Sequence, residues 1–299
     1  MAYSLTAVAL TLLAATANPL SGRDAASGGA SPYVAEIESW RKDREQRLTS
    51  ETGWLAVAGL FWLEPGKATF GSDAANDIVL PQGVPARAGT FVREGEKVTV
   101  TAAPGVAMTL ADQPVAADTV VPIQGDPLRL GRLSLFVIRR GDRYGIRLRD
   151  PESALRRDFK GILYYPIDEA HKITARFVPD EKPQTVRIAN VLGLVSDEPS
   201  PGMVEFEMNG RTLRLRPIIE DGDEREWFYI FKDETAPDET YGGGRFLYSK
   251  PAESGRVVLD FNKAYNPPCA FNPYTTCPLP PKENHLPVAI RAGERKPAK

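Results

Sequence analysis

Residues Val204–Leu215 read VEFEMNGRTLRL, and this stretch sets the class of the fold. Val204, Phe206 and Met208 alternate with Glu205 and Glu207, so a pleated strand sends the apolar side chains to one face and the carboxylates to the other. Asn209-Gly210 supplies two residues that tolerate positive φ, which is what the tight turn of a hairpin requires. Leu213 and Leu215 then resume the alternation. The expectation is an antiparallel hairpin with one face on a core.

The same texture extends on both sides. TFVREGEKVTVT, Thr90–Thr101, turns at Gly95, and LSLFVIRRGDRYGIRL, Leu133–Leu148, turns at Gly141-Asp142. The Arg140-Gly141-Asp142 string spells an adhesion tripeptide, but turn geometry alone calls for Gly-Asp there. WFYIF, Trp227–Phe231, and VVLDF, Val257–Phe261, read as buried strands because both are short runs rich in aromatic and β-branched residues. One segment departs from this pattern. YVAEIESWRKDREQRL, Tyr33–Leu48, follows Ser31-Pro32, lacks Gly and Pro, and spaces Val34, Ile37, Trp40 or Arg41, Arg44 and Leu48 as a helix does. Its cationic residues read as a solvated face. The fold class expected is therefore mainly β, in three parts. An N-terminal helix leads into a sandwich-like half spanning residues 33–150, and a second antiparallel half, 151–299, ends in a proline-rich cap.

Composition supports the β reading and narrows function. The 299 residues include 25 Gly and 26 Pro, a turn-rich usage with room for few long helices. Lys and Arg total 37 against 39 Asp and Glu, a net charge of −2 that offers no footprint for nucleic acid. The opening MAYSLTAVALTLLAATANPL carries an apolar run, Leu5–Ala17, too short to span a bilayer, with no Lys or Arg before it. Ala15-Thr16-Ala17 fits a small-x-small cleavage site, so residues 1–17 read as a secretory signal and 18–32 as a flexible lead-in. The expected location is the periplasm or the exterior, with no membrane insertion after signal removal. No G-x-S-x-G elbow, zinc helix or phosphate loop occurs, and no cofactor is expected.

Chemistry concentrates near the C-terminus. FNKAYNPPCAFNPYTTCPLPP, Phe261–Pro281, contains both cysteines of the chain, Cys269 and Cys277. Their spacing fits neither redox pairs nor structural zinc clusters. In an oxidising compartment a disulfide is the simplest reading; a metal site completed by Asp260 or His285, and free reactive thiols, are the alternatives. Closing so small a loop stabilises by about 2.5 kcal/mol in the chain-entropy model. Asp260 and Asn262 flank Phe261 in an alternating run and so project to one face, with Tyr265 and Asn266 close behind. Upstream, Tyr241-Gly242-Gly243-Gly244-Arg245 places backbone N–H groups and a forked guanidinium where an anion would suit, the structural alternative being an Arg245–Asp260 ion pair. Of the two histidines, His171 sits at a strand edge and His285 is the better candidate proton shuttle. Trp54, Phe61 and Trp62 read as core residues that are also able to stack on a ligand.

These segments resemble a known family. GWLAVAGLFWLEPGKATFGSDAANDIVLP, TYGGGRFL, LDFNKAYNPPCAFNPYTTCPLPP and AGE are similar to the bacterial and archaeal family called domain of unknown function 1684, over about Tyr33 to Glu294. The resemblance implies membership and no particular reaction. Its motif positions are Tyr241, Gly244, Arg245, Asp260, Asn262, Tyr265, Asn266, Pro267, Pro268, Cys269 and Cys277. Gly71-Ser72-Asp73 with Asn76–Leu80 is also similar to the opening of a forkhead-associated β-sandwich, though Ser72 and Ala86-Arg87-Ala88-Gly89 stand where that fold grips phosphate.

Two uses of the polar cluster follow. In the first, Tyr241, Gly243, Gly244, Arg245, Asp260, Asn262, Tyr265 and Asn266 bind a small anionic or polar ligand. In the second, a hydrolase or lyase uses Asp260 or His285 as general base while Arg245 stabilises negative charge. A third alternative is a structural protein of the cell envelope.

Overall fold

The computed structural model describes residue 1 and residues 31–298. The expected signal, 1–17, lies outside the described residues apart from Met1, and the lead-in, 18–32, lies outside them apart from Ser31 and Pro32. Those two residues begin the helix instead. α1 runs Pro32–Thr49, with Pro32 in its first turn and the Ser31 hydroxyl accepting from the Val34 N–H at 3.2 Å. The side of α1 turned toward the protein buries Ile37, Arg44 and Leu48. The cationic face is therefore only partly solvated, because Arg44 points inward.

The N-terminal half is built from β1 (Val57–Leu63), β2 (Gly66–Gly71), β3 (Ile78–Val79), β4 (Gly89–Glu94), β5 (Lys97–Ala102), β6 (Thr109–Leu110), β7 (Gln113–Pro114), β8 (Thr119–Val120), β9 (Leu128–Leu130), β10 (Leu133–Arg140) and β11 (Arg143–Arg149). They form a sheet of order β1-β11-β10-β9-β6-β7 and a second of order β3-β2-β4-β5-β8. Both expected hairpins are present, with Gly95 and Gly141 at φ +60° and +58°. Alternation does the rest: Phe70, Phe91, Val98 and Val100 from one sheet meet Leu135, Val137, Ile146 and Leu148 from the other in one apolar cluster. The opposite face of β11 carries Arg143, Arg147 and Arg149, a row of cations between the sandwich and the rest of the chain.

After a short helix α2 (Ala154–Arg157), the C-terminal half contains β12 (Lys172–Ala189), β13 (Val195–Met208), β14 (Arg211–Leu215), β15 (Trp227–Phe231), β16 (Arg245–Ser249) and β17 (Arg256–Asp260). A sheet of order β14-β13-β12-β17 packs against the β15-β16 pair. The opening stretch folds as read: Val204 faces Leu215, Phe206 faces Leu213, and Asn209 and Gly210 take φ +52° and +71°. β15 is buried at every position. β17 is not, since Val258 is 48% exposed on an edge strand; its buried residues are Val257, Leu259 and Asp260.

The proline-rich loop is the stitch between the halves. The Asn272 side-chain amide donates to the carbonyls of Trp54 and Val57, both at 2.7 Å, and Arg140 Nε donates to Thr276 Oγ1 at 3.2 Å. Within the loop, Cys269 and Cys277 are neighbouring thiols. Each backbone N–H points at the other's sulfur, at 3.2 and 3.3 Å.

Candidate ligand-binding site

Two polar nodes fasten α1 to the C-terminal half, and a cavity opens between them. At the first node, the Tyr33 hydroxyl donates to Asp260 Oδ1 at 2.8 Å and accepts from Asn262 Nδ2 at 2.8 Å. Asn262 also donates to the Asp168 carbonyl at 2.7 Å and through its own N–H to Asp260 Oδ1 at 3.2 Å. Asp260 and Asn262 therefore do meet, but not by strand alternation: β17 ends at Asp260, which caps a 3-10 turn, Phe261–Lys263. Burial, reinforced by the Asp260 carboxylate, pushes the Tyr33 phenol well above its ordinary value, so it remains a donor. Asp260 Oδ2 is buried with no hydrogen-bond partner.

At the second node, Arg44 Nε donates to Glu294 Oε1 at 3.0 Å and Arg44 Nη2 to the Asn266 carbonyl at 3.0 Å. The Asn266 N–H donates to Glu294 Oε2 at 2.8 Å, and the guanidinium lies 4.7 Å above the Tyr265 ring. Complete burial raises the Glu294 carboxyl above the usual range, with Arg44 the chief opposing influence. Asn266 is sealed inside this node.

Between the nodes lies a cavity of about 980 Å³, open on one side to solvent, with Trp40 and Arg47 on α1, Lys172 on β12, Tyr248 on β16, and Arg256 and Asp260 on β17 among its walls. Arg44, Lys250, Lys263 and Tyr265 add to its cationic and aromatic lining, and Glu226 and Glu253 also stand on its walls. Among the described residues, Arg47, Lys172, Lys250 and Arg256 make no ion pair with a carboxylate, whereas Lys263 is paired with Glu36 at 2.5 Å. Tyr248 and Tyr265 stack at 6.3 Å with 11° between their planes, forming an aromatic wall. Burial above all, then the neighbouring Tyr265 and Glu220, drives the Tyr248 phenol far upward, and its hydroxyl donates to Glu220 at 2.5 Å.

Other residues singled out in the sequence lie elsewhere. Arg245 is 1% exposed and faces no ligand: its Nη2 donates to Asp233 at 2.5 Å and to the Ile290 carbonyl at 2.9 Å, and its Nη1 to the carbonyls of Ala292 and Glu294. The partner is Asp233, not Asp260, and the expected shared niche of Arg245 and Asp260 is corrected accordingly. The glycine run is a packed turn, not an open anion cradle. Gly244 takes φ +89°, and a Cβ there would sit 2.6 Å from the Phe231 carbonyl oxygen, while one at Gly243 would sit 2.5 Å from the Tyr241 ring. Tyr241 is half-buried, and burial raises its phenol above its ordinary value. His285 is exposed after the 3-10 turn Lys282–Asn284 and bridges Lys232 through the backbone. Asp260, His285 and Arg245 thus do not share hydrogen bonds or ion pairs, and the expected catalytic grouping is not assembled.

The cysteines carry their own electrostatics. The hydrogen bond with Cys277, aided by Thr275 Oγ1 at 2.8 Å, lowers Cys269 to about 6, while the same bond and burial push Cys277 upward. Among the described residues no group of three His, Cys, Asp or Glu side chains is placed to hold a metal ion. No helix among them is long and apolar enough to cross a membrane.

Much of the site escaped the sequence reading: the lining cations Arg47, Lys172, Lys250 and Arg256, together with Tyr33, Tyr248 and Glu294, and also Asp233, the partner of Arg245. Asp233 was accessible in principle, because Phe231 pairs with Arg245 across β15 and β16 and Asp233 lies just beyond. Glu294 stood inside the AGE motif with no role attached, and its partner is 250 residues away on α1.

Cations and stacked tyrosines lining a seam between a helix and a β-sheet define a β-rich protein with a solvent-open polar cavity. Residues 157–295 match the family model described as "Protein of unknown function (DUF1684)", and the chain belongs to that family through its C-terminal half. The N-terminal stretch GWLAVAGLFWLEPGKATFGSDAANDIVLP lies outside the match. The solution NMR structure of an uncharacterized protein from Haloarcula marismortui is 31% identical to this chain, covering 47% of this chain and 78% of its own, at a TM-score of 0.40. No curated protein matches.

Proposed function

We propose that this is a periplasmic or secreted protein that binds a small anionic or polar ligand in the cavity beneath α1. The observation that carries the reading is the lining: Arg47, Lys172, Lys250 and Arg256 surround about 980 Å³ without a carboxylate paired to any of them. Small-molecule sites commonly span roughly 300–1,000 Å³, with an apolar wall and a few convergent polar groups. Tyr248 and Tyr265 supply the wall, and Asp260 Oδ2 is an acceptor waiting for a ligand hydroxyl or ammonium. A multiply negative ligand with hydroxyl groups, such as a sugar acid or a hydroxylated di- or tricarboxylate, satisfies all three.

Calorimetric titration with glucuronate, malate and citrate tests this. At least one is expected to bind below millimolar, and Lys250→Ala combined with Arg256→Ala is expected to weaken it about tenfold, equivalent to ~1.4 kcal/mol. No binding by any of the three, or undiminished binding by the double variant, overturns the reading. The disulfide between Cys269 and Cys277 belongs to the same proposal, as the cross-link of an exported protein. Intact mass of protein prepared without reductant is expected to lie two hydrogens below the dithiol mass, with a mature start at Asn18. Two free thiols in protein taken from the envelope exclude the cross-link.

A further inference from the structure

The outer face of β11 presents a charge problem that the first cavity does not address. Arg147 is 8% exposed, and its Nε and Nη2 are buried with no hydrogen-bond partner. Arg149 Nε is likewise buried and unpartnered. Arg140, at the end of the adjacent strand β10, uses Nε on Thr276 and Nη1 on the Arg139 carbonyl. Among the described residues no carboxylate forms an ion pair with any of these three arginines. A guanidinium keeps its proton in a protein, so a buried one left without an anion costs several kcal/mol. Burial, then the like charges of Arg140 and Arg149, lowers Arg147 to about 10, the mark of a cation short of a counter-ion. Aromatic faces relieve this only in part: Arg147 lies 5.2 Å from the Trp54 ring centre and Arg149 4.8 Å from that of Phe136.

Space for a counter-ion is at hand. A second cavity, of about 570 Å³, is lined by Trp54, Arg140, Glu220, Thr275, Thr276 and Cys277 among others, and it adjoins the first through Arg44, Arg47, Tyr248 and Tyr265. Arg140 and Trp54 stand on its wall, and the Arg147 guanidinium, behind that wall, lies 5.2 Å from the Trp54 ring centre.

We infer that Arg147 and Arg140, with the Thr276 hydroxyl, form a binding site for a tetrahedral oxyanion, phosphate or sulfate, at the seam between β11 and the proline-rich loop. Guanidinium forks match such oxygens in pairs, and the anion satisfies the N–H groups that the chain itself leaves bare. The site stands apart from Lys250 and Arg256 and does not depend on the ligand proposed above.

The test is thermal unfolding of the mature protein in phosphate, in sulfate and in chloride at matched ionic strength. A saturable rise of Tm by about 5 °C at a hundredfold excess over Kd is expected with phosphate or sulfate and not with chloride. Arg147→Met is expected to abolish the rise and Arg140→Gln to weaken phosphate binding at least tenfold, while Lys97→Ala, on the far sandwich strand β5, leaves both unchanged. Should Arg147→Met fail to fold, Arg140→Gln decides. Equal Tm in all three salts, or a phosphate response that survives these arginine substitutions, overturns the site.

Discussion

Two buried arginines, one in each half of the molecule, are handled in opposite ways. Arg245 begins β16 and is wrapped by Asp233 and by three carbonyls from residues 290, 292 and 294, so its charge and its N–H groups are matched within the chain. Arg147 lies in β11 among other cations, and two of its nitrogens have nothing to donate to. The family motif includes the first and not the second. What separates structural glue from a binding group is therefore not residue type or burial but whether the fold supplies the counter-charge.

The comparison is broken most forcefully at Arg245. Asp233→Ala removes one partner of a buried pair and is expected to cost about 3–5 kcal/mol, read as a fall in the urea midpoint at constant slope. Gly244→Ala forces a side chain into positive φ and against the Phe231 carbonyl, and is expected to cost about 2 kcal/mol. Next comes the node on α1. Because the folded Glu294 carboxyl titrates above its unfolded value, the native state binds this proton more tightly, and the contribution of Glu294 to stability declines as pH rises through the folded pKa. Glu294→Gln is expected to flatten that decline, measured as urea midpoints between pH 4 and 7; an unchanged slope removes Glu294 as its source. Tyr33→Phe deletes a single donor to Asp260 and is expected to cost ~1 kcal/mol. Arg147→Met matches Tyr33→Phe in size and is opposite in sign: without phosphate or sulfate it is expected to stabilise by about 1 kcal/mol, because an unpaired charge gives way to apolar packing.

Strands were legible in the sequence where one face is buried and the turn is forced. Alternation about Asn209-Gly210, Gly95 and Gly141 defined three hairpins, and all three are present. VVLDF was misread in part because a short apolar run looks the same at the centre of a sheet and at its edge, and only the tertiary neighbours expose Val258. The candidate site was legible in pieces. Asp260 and Tyr265 do line the cavity and Asn262 supports it from behind, but Arg245 and the glycine run belong to the interior. Sequence shows that a residue has charge; it does not show which distant residue neutralises it. Arg44 and Glu294 meet across 250 positions, and the local helical pattern around Arg44 looks the same with or without that contact.

The Asn272 amide ties the loop to two carbonyls at the entrance to β1, while the rest of that loop packs with β15 and β16. Heat should therefore find one lock rather than two: the sandwich and its companion sheet are expected to melt in a single calorimetric peak. Asn272→Ala is the change expected to split that peak, letting each half come apart on its own schedule.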